Sequence, residues 1–377
     1  MADGRVKLGF AGDVWLRADD PRFYTAEYQE LFSQVRDWVS GCDIACANLE
    51  CFINDAQDPA LRQHWKPKPK HLRAHPNLLV SLRQAGFNLV TLANNHVMDG
   101  GQKGLERTLS EVTSHGLKYV GAGRNQEEAE QALYWSEGGL LFAFLAAAEW
   151  PEDGAHRDRP GVAQMQPHRK LIQRVRKARE SADVVVVQLH GDLEFSAAPA
   201  PYRVRLSRTL IDSGATMVVQ HHPHVLQGVE FYEGGLIAYS LGNFAFPIST
   251  SSYQKGQAGV RDGFFLEVYV DSDGMVSDWA CRLTHIGDSD RPIAASVQHS
   301  RNVLDDLDGR APMLSDLAKL RRVWFSRCRA EARYHAMMIY YRLRAARFRD
   351  ALTYAVKIPM EGRNWRWLIG ILTVGRF

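Results

Sequence analysis

Residues 183–194 read DVVVVQLHGDLE. Four consecutive valines followed by Gln-Leu are the strongest strand signal in the chain, because β-branched side chains crowd a helix but suit a pleated surface. Where the apolar run stops, His190, Asp192 and Glu194 follow within five residues. The flanks read differently. Residues 167–181 form a basic helical segment before the strand, and 204–213 a second helix after it, leading into another strand at 216–220. Upstream the alternation repeats. Strands are expected at 6–11, 44–49, 88–93, 117–120 and 140–147, and helices at 24–40, 75–85 and 101–115. Downstream of 220 the pattern changes, and 225–232, 236–240, 264–270 and 275–283 follow one another without intervening helices. Mixed α/β early and hairpins late predict sheets packed in layers with helices outside.

The chain has 377 residues, 46 Lys+Arg and 43 Asp+Glu, a formal net charge of +3. This excludes a disordered polyelectrolyte and a uniformly basic nucleic-acid binder. The sum hides a division. Residues 313–377 hold 14 Lys+Arg against Asp316, Glu331, Asp350 and Glu361, a net of +10, so residues 1–312 carry −7. No binding motif accompanies the tail's charge, so nucleic acid is not an expected partner. The N-terminal residues lack an apolar signal-peptide core, and the longest apolar runs, 140–148 and 367–374, are too short to span a bilayer. A soluble cytoplasmic protein without a membrane span is expected. The cysteines at 42, 46, 51, 281 and 328 form no CxxC pair and read as free thiols.

The informative polar residues sit at strand ends. Asp13 follows Phe10-Ala11-Gly12; Asn48 and Glu50 follow 44–47; Asn94-Asn95-His96 and Asp99 follow 88–93. His190, Asp192 and Glu194 follow 183–189; His221-His222-Pro223-His224 follows 216–220; Asn243 follows 236–241. Any one of these alone is an ordinary cap or turn residue. Their coincidence at successive strand ends is the pattern of a ligand site at the carboxyl edge of an α/β sheet. Two-residue alternation puts Asn48 and Glu50 on one face, and likewise His222 and His224, with Pro223 between them. Mixed imidazole, carboxylate and amide donors suit one or two divalent ions, with Ca, Mn, Zn, Mg and Fe all open.

The segments GDVWL (12–16), ANLE (47–50), LANNHVMDGG (92–101), VGAG (120–123), QLHGDLE (188–194), HHPHVLQGVE (221–230) and YSLGNFAF (239–246), in this order, resemble the CapA family of capsule or poly-γ-glutamate synthesis proteins. The resemblance implies the fold of calcineurin-like metallophosphoesterases, a four-layer α/β/β/α sandwich. It divides the chain into a CapA-like domain, 1–290, and a basic, aromatic helical extension, 291–377, packed upon it. It also implies metal ligands at Asp13, Glu50, Asn95, His190, His222 and His224, and an acid/base role for His96. The pattern departs from the phosphoesterases at Asp13-Val14-Trp15, where Asp-x-His is usual, and at Asn48-Leu49-Glu50, where Gly-Asp-x-x-Asp is usual. It departs from CapA proteins at His190–Glu194, where His-Trp-Gly-x-Glu is usual, and no membrane anchor is evident.

An unanchored chain of this kind is also similar to the lasso-peptide epimerases of this fold, which invert the Cα of a peptide's C-terminal residue. Inversion needs a base and an acid, and His–Asp pairs suit both roles near neutral pH. The candidates are His96 with Asp99, His190 with Asp192, and Asp13 with His222 or His224. The expected substrate is a peptide or another carboxylate-bearing chain, held by Lys66 and Lys68 of the long loop 54–70, by Asn243 and by Glu194. Poly-γ-glutamate chemistry, phosphoester hydrolysis and non-catalytic binding use the same residues and remain alternatives. The oligomeric state is left open.

Overall fold

The run Val184–His190 is a central strand of a six-stranded sheet. It pairs in parallel with Leu140–Ala148 on one side and Met217–His221 on the other. Gly235–Ala238 extends the sheet beyond Met217–His221, and hairpin partners Leu133–Glu137 and Val229–Tyr232 close its two edges. This is a computed structural model, and it describes residues 5–55, 71–344, 348–349, 351–352 and 355.

A second, eight-stranded sheet faces the first. Val6–Val14, Ile44–Leu49, Leu89–Thr91 and Lys118–Val120 run parallel in it. Asp262–Val270, Val276–Ile286 and Pro292–Ala294 continue it antiparallel on the other side of Val6–Val14, and Asn243–Ala245 joins that strand at its carboxyl end.

Alternation along the strands divides the cores. Phe142, Phe144, Val184, Val186, Met217 and Val219 share one apolar cluster with Leu8, Phe10, Leu266 and Val268 of the facing sheet. Their neighbours Ala143, Leu145, Val185, Val187 and Val218 point the other way, onto helices His168–Arg179 and Pro201–Asp212 through Leu171, Val175, Val204 and Leu210. Helices Asn77–Ala85 and Gly101–Ser114 are the crossovers between parallel strands and cover the outside of the larger sheet. The four layers are therefore α/β/β/α, the sandwich implied by the resemblance. Full burial of each such side chain contributes about 1.5–3 kcal/mol.

One predicted helix is absent. Residues 24–40 form short 3-10 turns, Pro21–Tyr24, Ala26–Glu30 and Ser33–Val35, and only Arg36–Ser40 is α-helical. Thr25 is fully extended and uses its hydroxyl to cap the Glu27 amide, which interrupts the first turn. The strand expected at 225–232 begins only at Val229, and before it Leu226 makes an isolated bridge to Leu241.

The last strand, Pro292–Ala294, ends just past residue 290, and the C-terminal helices follow. Val297–Arg310 leads through a 3-10 turn, Ala311–Ser315, into the long helix Leu317–Arg344. Leu314 and Leu320 are buried in the cluster beneath Pro201–Asp212. Trp324 Nε1 donates to Asp192 Oδ1 at 3.2 Å, and Arg327 Nε donates to the Glu194 carbonyl at 2.8 Å. Among the described aromatic residues of the extension, those at and beyond the far end of the long helix stay in solvent. Tyr340, Tyr341 and Phe348 are more than half exposed. Trp365, Trp367 and Phe377 lie outside the described residues. All five cysteines are free thiols. Among the described residues, no helix is long and apolar enough to cross a membrane.

Leu320 is fully buried at the start of the long helix. Leu320→Ala should lower the urea-unfolding free energy by about 2–5 kcal/mol. A loss within about 0.5 kcal/mol would mean the helix is not part of the cooperative fold.

Candidate metal centre

Strand pairing brings the polar strand ends together. Asp13 sits beside Asn48 and beside Asn243 in the larger sheet, and a register shift between Ala11 and Asp13 re-aims the strand there. In the facing sheet His190 sits beside His221. The strand approach is close at Gly12, where an added Cβ would lie 2.1 Å from the Gly242 carbonyl oxygen. Only glycine permits that contact, and through it the Asp13 amide reaches the Gly242 carbonyl at 2.9 Å.

Glu50 lies at the centre. It is fully buried, and neither carboxylate oxygen has a hydrogen-bond partner. Three imidazole nitrogens stand around its Oε1: His190 Nε2 and His224 Nε2 at 3.7 Å each, and His96 Nε2 at 3.9 Å. These distances are too long for hydrogen bonds. They suit atoms that share a cation, since donors held about 2.1 Å from one metal are separated by roughly 3–4 Å. Ligand atoms of Glu50, His222 and His224 lie within 4.8 Å of one another, as do those of Asp13, Glu50 and His190. The buried, unbonded carboxylate and its imidazole ring fit a divalent ion.

The surrounding bonds orient the donors. Asn48 Nδ2 lies 2.7 Å from Asp13 Oδ1 and 3.1 Å from His190 Nδ1. His190 Nε2 lies 2.9 Å from Asn95 Oδ1. His224 Nδ1 lies 2.9 Å from Asn243 Oδ1 and 3.2 Å from Asp13 Oδ2. His96 donates from Nδ1 to Asp99 Oδ2 at 2.8 Å, and the Leu72 amide donates to the same oxygen. The His96 side chain is 19% exposed, against 1% for His190 and 5% for His224, so His96 faces the opening. His222 and His224 both have left-handed backbone, φ 99° and 57°. Such positions cost of order 1–3 kcal/mol in non-glycine residues and cluster at functional sites.

Protonation follows burial and charge. Desolvation pushes the Glu50 carboxyl well above its usual range, against the pull of His224. Desolvation also lowers His190 well below the ordinary imidazole value, helped by the neighbouring histidines. Burial takes His221 down to about 4. Burial alone would lower His224 too, but the Glu50 and Asp13 carboxylates raise it to about 10. Burial would raise Asp13, and its hydrogen bond from His224 reverses the sign.

Of the residues expected from the sequence, Asp13, Glu50, Asn95, His96, Asp99, His190, His222 and His224 converge here. Asn243 lies behind His224, bonded to its ring and its carbonyl. Asp192 is not the partner of the His190 ring. Its carboxylate accepts from the Leu193 and Ala200 amides and from Trp324 Nε1, while its own amide donates to Glu149 Oε2. Desolvation raises its pKa to about 6. Glu194 gives its carbonyl to Arg327, and its charge acts on Glu50 and His224. Lys66 and Lys68 lie outside the described residues. Sequence reasoning missed Trp150, whose ring packs on His222 at 4.7 Å and His190 at 5.5 Å. It follows Leu140–Ala148, a strand end that the same rule covers.

The family described as bacterial capsule synthesis protein PGA_cap matches residues 7–248. The capsule biosynthesis protein CapA of Bacillus anthracis is 29% identical over 289 residues, covering 74% of this chain and 66% of that protein. The PGA biosynthesis protein CapA of Bacillus subtilis (strain 168) is 33% identical over 279 residues, covering 72% of this chain and 70% of that protein. The chain thus spans about two thirds of the length of these relatives. Among solved structures, the 5'-nucleotidase precursor of Thermus thermophilus is a distant likeness, with TM-score 0.41 and 13% identity over 82% of this chain and 59% of that one.

Glu50→Gln keeps the shape of the site and removes its charge. In EDTA-treated protein the melting temperature should hold or rise, and the upward shift that Mn²⁺ or Zn²⁺ gives the wild type should shrink. An undiminished metal shift in the variant would place the ion elsewhere. His224 supplies a pH signature. Its folded pKa, about 10, exceeds the unfolded 6.5, so its stabilisation is complete below pH 6.5 and is lost as pH rises toward 10. Urea midpoints of EDTA-treated protein should fall over that window, and His224→Gln should flatten the fall.

Proposed function

The chain belongs to the bacterial capsule synthesis protein family PGA_cap, and from that premise we propose that it is a metal-dependent enzyme acting on a carboxylate-bearing amide chain of the poly-γ-glutamate kind. The observation that carries the proposal is Glu50, a buried carboxylate with no hydrogen bond and imidazole nitrogens of His96, His190 and His224 at 3.7–3.9 Å. Asp13, Glu50, Asn95, His190, His222 and His224 would hold one or two divalent ions. Their imidazole content favours Fe or Zn over Ca or Mg, which prefer oxygen cages. A bound ion supplies Lewis-acid stabilisation for charge that develops on a carbonyl or carboxylate oxygen.

The proton chemistry belongs to His96. Asp99 fixes the Nδ1–H tautomer and leaves the Nε2 lone pair turned toward Glu50. From the open side of the site His96 takes a proton from a nucleophile or returns one to a departing amine. Trp150 covers the His190 and His222 rings and keeps water from that flank. Glu194 and Asn243 border the His224 side, and Lys66 and Lys68 are the proposed counter-charges for substrate carboxylates.

A second reading, peptide epimerisation, draws support from a different observation. Two imidazole–carboxylate pairs, His96–Asp99 and His224–Asp13, converge on the same Glu50 oxygen. Inversion at Cα needs one group to remove the proton and another to return it.

One experiment separates the readings. Metal-loaded protein is incubated in D₂O with poly-γ-glutamate and with short peptides, and products are read by mass spectrometry. Chain shortening supports amide cleavage. Deuterium at Cα without loss of mass elsewhere supports epimerisation. Phosphate release from an aryl phosphate alone would move the activity to phosphoesters. His96→Ala should lower the active rate about 10²–10⁴-fold. Ligand binding with no turnover, unaffected by EDTA, would leave a binding module and overturn the proposal.

A further inference from the structure

Asp262, His285 and His299 come together from three elements. Asp262 opens the strand Asp262–Val270, and His285 is its cross-strand partner on Val276–Ile286. His299 lies in the first turn of helix Val297–Arg310, where Ser296 caps its amide. One oxygen, Asp262 Oδ1, meets both imidazoles: His285 Nδ1 at 2.8 Å and His299 Nε2 at 2.7 Å. The rings stand edge to face with centroids 5.3 Å apart. The Asp262 side chain is 13% exposed, against 33% for His285 and 38% for His299, so the carboxylate forms the floor and the imidazoles the rim.

We infer that these three residues form a second cation site, of the zinc type, that clamps the C-terminal extension to the edge of the sheet. The donor chemistry is two imidazole nitrogens and one carboxylate oxygen, converging within 4.8 Å and open on the solvent side for a water. Three protein ligands plus water is a familiar zinc arrangement. The donors need part only slightly. Tetrahedral bonds of about 2.0–2.1 Å separate ligand atoms by roughly 3.3 Å; the two N···O separations, 2.8 and 2.7 Å, are about half an ångström less, and the two nitrogens lie within 4.8 Å of each other. As hydrogen bonds, two N–H groups crowd one oxygen; a shared cation satisfies all three donors together. The site shares no residue with the Glu50 centre. All three residues lie beyond residue 248, where the family match ends. His299 belongs to the first helix after the sheet, so a bound ion ties the sandwich to the segment that leads into Trp324 and Arg327.

The test uses the full chain, stripped with EDTA, desalted and titrated with Zn²⁺ alone. Bound zinc is counted after gel filtration. Glu50→Gln isolates the second site and should retain one equivalent. Adding His299→Gln or His285→Gln to that background should remove it. Co²⁺ should give the visible absorption of a four-coordinate site in Glu50→Gln and lose it in either double variant. His299 sits on an exposed helical turn, so its variant reports even if His285→Gln folds poorly. Amide exchange in residues 297–310 should slow on adding zinc, and not in His299→Gln. Equal zinc stoichiometry with and without His299 would overturn the inference, as would unchanged exchange in that helix when zinc is bound.

Discussion

A carboxylate cannot be taken out of water, left without a hydrogen bond and kept charged unless something positive stands beside it. Glu50 is in that position, and the rest of the site answers to it. Its strand, Ile44–Leu49, is buried along its whole length, and the side chain just beyond it is fully buried too. The facing sheet brings His190 and His224 to within 3.7 Å, each already tied by a neighbour: Asn48 and Asn95 for His190, Asn243 and Asp13 for His224. Two apolar sheets hold these groups at a fixed spacing. The left-handed backbone at His222 and His224 is maintained because the packing around it leaves little alternative. The layers therefore create an electrostatic demand that a proton or a divalent ion must meet. A proton on Glu50 meets it at one atom, whereas an ion meets it for the carboxylate and the imidazoles together.

The loop that departs from the family pattern is braced from outside the sandwich. Asp192 stands at φ 87°, held by the Ala200 and Leu193 amides and by Trp324, and its own amide is held by Glu149. Glu149 also accepts from the Tyr202 hydroxyl. Leu193 packs against Cys328 of the long helix. Of these contacts, Trp324 and Cys328 tie the segment after His190 to the C-terminal helix. Where CapA proteins usually carry Trp in the motif, this chain has Gly191, and an added Cβ there would lie 2.2 Å from Glu149 Oε2. Gly191 and the Asp192 brace are thus parts of one local arrangement around Glu149.

Much of this is legible in the sequence, for identifiable reasons. The valine run at 184–187 announces its own strand, and the strand-end rule turns scattered polar residues into a set. The helix expected at 24–40 fails because apolar spacing alone does not show that Thr25 leaves the helical region to cap the next turn. Pairing His190 with Asp192 assumes that closeness in sequence means contact. The ring's partners, Asn48 and Asn95, are 142 and 95 residues away and belong to the facing sheet and the loop after its strand Leu89–Thr91, so the packing of one sheet on the other brings them there. The Asp262 cluster is invisible in the sequence for the same reason. Its histidines follow at separations of 23 and 37 residues and meet only through an antiparallel pairing and a helix packed across it.

The uneven charge of the chain acquires a physical meaning from these positions. Several of the body's acids are buried about the cleft: Asp13, Glu50, Asp99, Glu149 and Asp192. A body of net charge −7 repels a polyanion at a distance, and buried carboxylates do not change that sign. An anionic chain can approach only if cations are supplied at the cleft or beside it. Divalent ions at Glu50 would supply some. The described part of the basic extension would supply more, since its helix touches the loop that carries Glu194 through Arg327. Screening limits each contribution to about 8–10 Å at physiological salt, so contact between the basic helix and the site loop matters more than the total charge. For the anionic substrate proposed above, docking of the extension would be an electrostatic requirement as well as a packing interaction.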